Sequence, residues 1–185
     1  MQICKTKFHG APENLSERID KEQRCYEMLS ALQIPFDRVD HEALDTIEDC
    51  KAAEDVLETK ICKNLFLCNR QKTVFYLLLM PGDKRFVTKN FSKALGVSRC
   101  SFAQPEHLES CLGLTPGSVT VFGLMNDPGH KVHLVIDKDL LKDAFVGCHP
   151  LINTSTLKVK VDDILNIFLP ETGHEPVFIE LSEEQ

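Results

Sequence analysis

The sequence predicts an α+β fold: a single domain with a mixed, mostly antiparallel sheet surrounded by short helices. Several short apolar stretches have the length and composition of strands, among them Lys60–Cys68, Thr73–Met80 and Val132–Ile136. Short helical patterns, such as Thr88–Leu95 and Pro105–Leu112, stand between them. The strands and helices do not alternate regularly, which argues against a parallel βαβ sheet and favours an α+β arrangement.

The length of the chain fits one domain over residues 1–185. A chain of 185 residues can bury a sizeable core, and no Pro/Gly/Ser-rich linker divides it. Residues 1–13 carry little pattern and are expected to be loose. Apolar runs such as Val74–Met80 are too short to span a bilayer, and Met1–Lys5 lacks the apolar core of a secretory signal. We therefore expect a cytoplasmic protein with no membrane partner.

The first third of the chain is predicted to contain two helices around one strand. A helix begins at Ser16, whose hydroxyl can cap the first turn, and ends near Gln33, with Ile19 on its apolar face. Ile34–Asp40 alternates apolar and polar residues, as a half-buried strand does. A second helix is expected from about residue 46 to residue 57.

A hairpin of two apolar strands is predicted to lie in the middle of the sheet. Lys60–Cys68 and Thr73–Met80 are joined by a short polar connection. Leu77–Met80 is apolar on both faces, so this strand needs cover on both sides.

The C-terminal half is predicted to add further strands and one helix. Ser118–Phe122 has a strand pattern, and the Gly123–Gly129 segment after it has turn chemistry. A last helix is expected to begin at Asp162, and Val177–Leu181 is expected to be the final strand.

The eight cysteines are predicted to be reduced. None forms a Cys-x-x-Cys pair, and a chain of this size and apolar content does not need disulfides. Cys25, Cys62, Cys68 and Cys111 fall where core residues fit, so packing thiols are expected there. A zinc site is not predicted, because five residues separate Cys62 from Cys68 and no histidine is near.

The charge of the chain is unevenly distributed. The net charge is -7, yet the segment from Lys60 to Cys100 carries nine basic residues against Asp83 alone. Such a basic segment in an acidic protein is the electrostatic footprint of a phosphate backbone contact. The alternative is a solvated positive face on a hairpin and a helix, since charge in a segment need not form a patch in space.

A polar loop is predicted between two strands within residues 144–157. Gly147 can adopt backbone angles that bring its N–H close to a ligand, and Pro150 stiffens the turn after His149. Such a loop suits a small binding site. A tight turn in which His149 only caps backbone carbonyls is the alternative.

A second motif places a lysine and an asparagine, Lys63 and Asn64, at the start of an apolar strand. Together with the loop, it resembles the YbaK-like family of aminoacyl-tRNA deacylases. The similarity is to the freestanding, prolyl-tRNA synthetase-associated type that hydrolyses alanine mischarged on proline tRNA. The motifs that carry the resemblance are Lys63–Leu67, Leu95–Val97, Leu114–Thr120, His149–Thr154 and Thr172–Pro176.

The resemblance implies an ester hydrolase that needs no cofactor and no metal. We assign Lys63 to the terminal phosphate or ribose region and backbone N–H groups around Gly147 to the ester carbonyl. His149 and Asn153 are expected to shape or polarise the pocket. In this family the matching lysine is essential, and the ribose hydroxyl of the substrate is a proposed helper. The expected substrate-binding residues are Asn64, Gly123, Leu124, Pro150, Asn153 and Thr154. Here Gly147 and Pro150 have two residues between them where the family often has three, which leaves open which N–H faces the carbonyl.

The expected partner is tRNA through its acceptor end, with tRNA(Pro) as the implied species and prolyl-tRNA synthetase as a further partner. Lys89, Lys93 and Arg99 are predicted to contact the tRNA. A second site that removes alanine must sort by an upper size limit, because a few methylene groups give a synthetase little discrimination. Candidate walls for such a site are Met80, Leu124, Met125 and Ile152.

Other hydrolytic chemistries have no motif in the sequence. There is no Gly-x-Ser-x-Gly elbow, no phosphate-binding glycine loop with a Lys-Ser/Thr ending and no His-Glu-x-x-His helix. Cys148 stands beside His149, but neighbours on an extended loop point apart, so a thiol nucleophile is not favoured. Two alternatives to the enzyme stay open, namely a non-catalytic module that binds charged tRNA or regulates a synthetase, and a plain interaction domain.

Overall fold

The computed structural model describes residues 4–44 and 47–183, which form two β-sheets around a shared apolar core. The strands of the described residues are, in chain order, β1 (Phe8–His9), β2 (Phe36–Asp40), β3 (Lys63–Asn69), β4 (Phe75–Met80), β5 (Cys100–Phe102), β6 (Val132–Asp137), β7 (Phe145–Cys148), β8 (Ser155–Lys160) and β9 (Val177–Ile179). The α-helices of the same residues are α1 (Asp20–Ala31), α2 (Ile47–Leu57), α3 (Thr88–Leu95), α4 (Pro105–Leu112), α5 (Val161–Asp163) and α6 (Leu169–Thr172). The predicted α+β class is confirmed.

The first sheet is antiparallel throughout, with the strand order β1-β2-β8-β7. β7 and β8 are neighbours, with Cys148 opposite Leu157, so residues 149–154 connect them as the predicted polar loop. β1 pairs Phe8 with Arg38, and the Cys4 N–H donates to the Asp40 carbonyl at 3.0 Å. The N-terminal segment is therefore tied to β2 from Cys4 onward, where a loose end was predicted. Residues 1–3 lie outside the described residues.

The second sheet is mixed, with the order β5-β3-β4-β6-β9. β5, β3 and β4 are antiparallel neighbours, whereas β4, β6 and β9 run parallel. The β3–β4 hairpin lies in the middle of the sheet, as predicted. Leu77 and Leu79 enter the core that the two sheets share, and Leu78 and Met80 enter a second cluster beneath α3. β4 is apolar on both faces because each face has its own core.

The start of α1 differs from the prediction. Ser16 lies in a separate 3-10 turn, Leu15–Glu17, and α1 begins after Ile19 with no side-chain cap. The side chain of Ile19 is 53% exposed and does not join the apolar face. Both differences follow from the extended backbone at Arg18, which separates the 3-10 turn from the helix. For α2, the predicted start at residue 46 lies outside the described residues.

The predicted strand Ser118–Phe122 is wrong. The chain forms a 3-10 helix over Val121–Asn126, and the Thr120 hydroxyl accepts a hydrogen bond from the Phe122 N–H at 3.4 Å. The hydroxyl thereby competes with sheet pairing for the backbone. Phe122 then packs edge-on against Phe168, with ring centroids 5.1 Å apart. The tertiary contact outweighs the β propensity of the segment.

The last helix begins at Val161, one residue before the predicted start, and passes through a π-helical turn, Ile164–Phe168, into α6. The shared core takes residues from both sheets, for example Phe36 and Leu157 from the first and Phe66 and Leu134 from the second. Within the described residues, no helix is both long enough and apolar enough to cross a bilayer.

Candidate active site

A cavity of about 510 Å³ opens where the two sheets meet. The N-terminal end of β3 and the C-terminal end of β7 form its floor, and α2 covers one side. The residues that line it are Leu44, Cys50, Lys51, Glu54, Lys60, Ile61, Cys62, Lys63, Asn64, Leu65, Gly82, Asp83, Gly117, Val119, Cys148 and His149. The two motifs singled out in the sequence therefore meet in one cavity.

The segment Lys60–Cys62 crosses from one sheet to the other and fixes the floor of the cavity. The Gly147 N–H donates to the Lys60 carbonyl at 2.7 Å, and the Cys62 N–H donates to the Gly147 carbonyl at 2.9 Å. A Cβ at Gly147 would lie 2.8 Å from Ile61 Cγ1, and a Cβ at Gly82 would overlap the Ile61 carbonyl oxygen. Two glycines are needed because the crossing segment passes directly against their backbones.

This crossing corrects the role predicted for Gly147. Its N–H is already bonded to the Lys60 carbonyl and cannot face an ester carbonyl as well. Because Gly147 has no side chain, the backbone of Lys60–Cys62 can pass directly against it, and this contact positions Cys62 and the start of β3. An oxyanion donor has to come from another group in the cavity.

Lys63 is the first residue of β3, and its side chain is partly exposed in the cavity. Its Nζ donates to the Lys84 carbonyl at 2.7 Å. An ammonium group has three N–H donors, so two remain for a ligand. The Lys84 side chain forms a buried ion pair with Asp137 at 2.7 Å. This ion pair fixes Lys84, and with it the carbonyl that accepts the hydrogen bond from Lys63.

Asn64, the next residue of the motif, turns towards the floor of the cavity. Its Nδ2 donates to the Cys62 carbonyl at 3.2 Å and lies 3.3 Å from the Cys62 sulfur. Its Oδ1 is buried and has no hydrogen-bond partner among the described residues. A buried amide oxygen without a partner is costly, which makes it a natural acceptor for a ligand or a water molecule.

His149 lines the cavity, and its two ring nitrogens have different roles. Its Nδ1 lies 2.9 Å from the Ser155 carbonyl oxygen, which can only accept, so Nδ1 carries the proton and Nε2 is the acceptor. Removal from water, together with the neighbouring His41, lowers the pKa of His149 to about 4. The ring is therefore neutral near pH 7, and Nε2 can accept a hydrogen bond from a substrate or a water molecule.

His41 and Thr156 support this ring from behind. His41 Nε2 lies 2.8 Å from Thr156 Oγ1, which in turn lies 3.4 Å from His149 Nδ1. The two imidazoles are edge to face, with centroids 6.2 Å apart. His41 has no motif around it, and its contact with His149 depends on the pairing of β2 with β8.

Cys148 lines the cavity as a protonated thiol. It is 1% exposed, and burial together with the nearby thiols of Cys62 and Cys25 holds its pKa well above the ordinary value. A nucleophilic cysteine needs a depressed pKa, so the site does not activate this sulfur. Cys25, Cys62, Cys68 and Cys111 are also buried and unpaired, as the sequence predicted.

Several predicted substrate-binding residues do not line this cavity. Gly123 and Leu124 lie in the buried 3-10 helix, where Gly123 faces Leu114 and Leu124 is 1% exposed in the core. Pro150 is buried outside the cavity, and the exposed Thr154 contributes its carbonyl to the His41 N–H. The family resemblance predicts these positions in the site, but core packing buries Gly123 and Leu124, and Pro150 and Thr154 also lie outside the lining.

Asn153 does not line the cavity itself but lies next to the lining residue Gly117. A Cβ at Gly117 would lie 3.3 Å from Asn153 Nδ2, so the amide packs directly behind this lining residue. The predicted apolar walls Met80, Leu124, Met125 and Ile152 are absent from the lining as well. The apolar walls observed are Leu44, Ile61, Leu65 and Val119.

Sequence reasoning missed Glu54, Gly82 and the wall residues Leu44, Ile61 and Val119. Glu54 belongs to α2, and its Oε1 accepts the Ile61 N–H at 2.8 Å. Val119 lies within the Leu114–Thr120 motif, but the other four residues stand outside the motifs that carry the resemblance. Only the packing of α2 and of the crossing segment brings them to the cavity.

The predicted tRNA-contacting residues lie apart from the cavity, on the surface. Lys89 and Lys93 are exposed four residues apart on α3, and Arg99 is exposed just before β5. None of the three forms an ion pair with another described residue. Two other cations of the basic segment are neutralised: Lys60 pairs with Asp83, and Lys84 is buried against Asp137.

The family is shown by comparison with known proteins. Residues 41–167 match the family profile of the aminoacyl-tRNA editing domain, and the match includes Lys63, Asn64 and His149. The chain belongs to the aminoacyl-tRNA editing domain family. The family resemblance inferred from the sequence motifs is thereby confirmed.

Two relatives of this editing domain resemble it over most of their length. The prolyl-tRNA editing protein ProX of Acetoanaerobium sticklandii is 30% identical over 149 residues, which are 80% of this chain and 91% of ProX. Prolyl-tRNA synthetase associated domain-containing protein 1 of Mus musculus is 31% identical over 166 residues, 88% of this chain and 95% of the mouse protein.

Crystal structures show the same fold. A candidate trans-editing enzyme for prolyl tRNA synthetase superposes with a TM-score of 0.63 at 17% identity, covering 89% of this chain and 99% of that one. Hypothetical protein APE2540 superposes with a TM-score of 0.62 at 19% identity, covering 83% and 96% of the two chains. The editing-domain fold is therefore kept at low sequence identity.

Proposed function

We propose that this editing domain is a trans-acting hydrolase that deacylates mischarged aminoacyl-tRNA, with alanyl-tRNA(Pro) as its substrate. The observation that carries the proposal is the meeting of Lys63 and His149 in one cavity, one as a hydrogen-bond donor and the other as a neutral acceptor. The bacterial relative is named a prolyl-tRNA editing protein, and the mouse relative is named for a domain associated with prolyl-tRNA synthetase, which supports the choice of tRNA(Pro).

The cavity suits the hydrolysis of an ester that is already activated. Water adds to the ester carbonyl carbon, negative charge develops on the carbonyl oxygen, and the bond to the ribose oxygen breaks as that oxygen takes a proton. Two N–H groups of Lys63 are available for the developing oxyanion or for the terminal phosphate. His149 Nε2 can accept a hydrogen bond from the attacking water or from the neighbouring ribose hydroxyl.

We assign size selection to the apolar walls of the cavity. Leu44, Ile61 and Val119 are apolar and line it together. Apolar walls exclude a larger side chain by steric overlap. A synthetase pocket built for proline cannot exclude the smaller alanine in this way. The proposal expects the site to accept alanine and to leave correctly charged prolyl-tRNA(Pro) intact.

Docking on tRNA is assigned to the exposed cations Lys89, Lys93 and Arg99. They are free of ion pairs within the described part of the chain, so phosphate groups can neutralise them. A complex with prolyl-tRNA synthetase would deliver the mischarged tRNA directly. Unpaired cysteines such as Cys62 and Cys148 support a cytoplasmic location for the reaction.

A second candidate is a non-catalytic module that binds charged tRNA. The observation in its favour is the weak basicity of His149 beside a thiol that stays protonated. With neither a strong base nor an ionised nucleophile, catalysis has to come from placement, from Lys63 and from the substrate's own hydroxyl.

One assay separates the two candidates. Purified protein is incubated with alanyl-tRNA(Pro), and loss of the ester is followed beside prolyl-tRNA(Pro) and a no-protein control. The hydrolase proposal expects rapid loss of alanine and slow loss of proline. Spontaneous rates for both esters, together with measurable tRNA binding, would establish the binding module instead.

A further inference from the structure

Glu54 presents a carboxylate to the cavity with half of its hydrogen-bonding capacity unused. Oε1 accepts the Ile61 N–H at 2.8 Å, which fixes the position of the side chain. Oε2 makes no hydrogen bond to any described residue and is open to solvent in the cavity. The carboxylate is thus held rigidly by one oxygen and available through the other.

Glu54 makes no close ion pair with a described residue, although lysines line the same cavity. No lysine, arginine or histidine of the described chain forms an ion pair with it. Lys60, which is close in sequence, is paired with Asp83, the other acidic residue of the lining. Lys51, Lys60 and Lys63 also line the cavity, and the charge of Glu54 helps to raise the pKa of Lys60, but none of the three donates to Oε2. That oxygen is therefore available to a cationic ligand.

We propose that Glu54 is the binding subsite for the protonated α-amino group of the aminoacyl ester. The inference rests on the proposed function, which supplies a substrate with a primary ammonium group next to the scissile carbonyl. An ammonium donates to carboxylate oxygens in short, charge-assisted hydrogen bonds. Lys63 would then meet the negative parts of the substrate and Glu54 its positive part, so the two charges orient the ester in the cavity.

Two stable analogues test the subsite without any turnover. In 3′-deoxy-3′-(L-alanylamino)adenosine an amide replaces the ester, and the ammonium is kept. In 3′-deoxy-3′-(L-lactylamino)adenosine a hydroxyl of similar size replaces the ammonium. Binding of each analogue is measured by calorimetry at pH 7 for the wild-type chain, for Glu54→Gln and for Asp55→Asn.

The two variants are matched. Glutamine at position 54 keeps an oxygen for the Ile61 N–H and removes the charge. Asp55→Asn removes the same charge from the next residue of α2, which is exposed and lies outside the cavity. Thermal unfolding of all three proteins checks that the fold is unchanged.

The proposal expects the wild-type chain to bind the alanyl analogue about 10-fold or more tightly than the lactyl analogue. Glu54→Gln should abolish this preference while its affinity for the lactyl analogue stays the same, and Asp55→Asn should behave as wild type. If Glu54→Gln weakens both analogues equally, Glu54 only supports the Ile61 backbone and the subsite is disproved. A wild-type chain that shows no preference, or binds neither analogue, also overturns the subsite.

These outcomes are separable from those of the deacylation assay. A wild-type chain that prefers the ammonium analogue yet leaves alanyl-tRNA(Pro) intact supports the Glu54 subsite and contradicts the hydrolase. A chain that hydrolyses alanyl-tRNA(Pro) without preferring the ammonium analogue supports the hydrolase and contradicts the subsite.

Discussion

Lys63 places its charge in the cavity without contributing to the core. Its one hydrogen bond, to the Lys84 carbonyl, lies at the partly exposed mouth. Lys63→Ala should therefore lower the deacylation rate by roughly 10²–10³, the usual effect of removing one well-placed electrostatic interaction. The melting temperature should stay close to wild type, because no apolar volume leaves the core. Single-turnover hydrolysis of alanyl-tRNA(Pro) measures the rate.

Two further variants sharpen the test of Lys63. Lys63→Arg should also be slow, because a planar guanidinium does not reproduce the position of a compact ammonium. Lys131→Ala removes an exposed lysine before β6 and should change nothing. Full activity in Lys63→Ala would remove this residue from the mechanism.

Substitution of Cys148 tests whether catalysis uses a thiol nucleophile. Its pKa is raised by burial and by neighbouring thiols, so no thiolate is available near pH 7. We expect Cys148→Ser to keep most of the deacylation activity, measured in the same single-turnover assay. The serine hydroxyl in an apolar environment should lower stability modestly. A decrease in rate as large as that of a nucleophile knockout would assign covalent catalysis to the sulfur.

His149 should make the stability of the protein depend on pH. Its pKa is about 4 when folded, below the ordinary value of 6.5, because burial disfavours the imidazolium. Between these values the unfolded chain binds more protons, so the stabilising contribution is complete above pH 6.5 and declines as the pH falls towards 4. Thermal unfolding at intervals across this range measures the decline.

The variant His149→Asn isolates this contribution, because position 149 no longer titrates. The difference in melting temperature between wild type and variant should shrink as the pH falls from 6.5 to 4. His41 also has a lowered pKa but is present in both proteins, so its effect largely cancels. A difference that does not change with pH would contradict a depressed pKa at His149.

At the scale of elements, the crossing segment Lys60–Cys62 determines where β3 begins. Gly82 meets the Ile61 carbonyl, and a Cβ there would overlap it. Gly82→Ala should destabilise the fold by about 1–3 kcal/mol, as overpacking does, and should displace Lys63 and so slow deacylation. Denaturant unfolding and the hydrolysis assay measure the two effects.

Gly129 supplies the matched control for Gly82. A Cβ at Gly129 would have no contact closer than 3.8 Å, to the flexible Lys131 side chain. Gly129→Ala should therefore keep wild-type stability and activity. If Gly82→Ala were equally harmless, the backbone contact at Ile61 would not constrain the site.

For the whole molecule, the net charge of -7 means that the proposed binding of tRNA depends on local positive charge. Lys89, Lys93 and Arg99 are exposed and have no ion pairs within the described residues. The affinity for tRNA should fall steeply with salt. Replacing all three residues by alanine should reduce the slope of log K against log[salt] by roughly 0.9 for each phosphate group that the variant no longer neutralises. Titrations at several salt concentrations measure the slope.

Lys142→Ala is a suitable control for these cations, since Lys142 is already paired with Asp139 at 2.6 Å. It should leave the slope unchanged. Single-turnover rates at saturating protein should be similar in the triple variant and wild type, because the three side chains lie outside the cavity. A tRNA affinity that does not change with salt concentration would exclude a phosphate contact at this surface.

Features that depend on local pattern and motif can be predicted from the amino-acid sequence. The buried β3–β4 hairpin follows from a run, Leu77–Met80, that is apolar on both faces. The family follows from short motifs in a fixed order, which includes Lys63 and His149. The hairpin and the family can both be predicted without knowledge of the packing, because hydrophobic periodicity and motif order are properties of the chain itself.

The identity of the groups that line the cavity depends on tertiary packing, which the sequence patterns do not show. In the folded chain the Gly147 N–H is hydrogen-bonded to the Lys60 carbonyl, and Leu124 is buried in the core. A 3-10 helix over Val121–Asn126 replaces the strand predicted at Ser118–Phe122. Tertiary packing also brings Glu54 to the cavity from a helix without a motif. The reason is physical: hydrogen-bond pairing and burial are settled between segments distant in sequence, and a residue's own neighbours in the chain do not encode them.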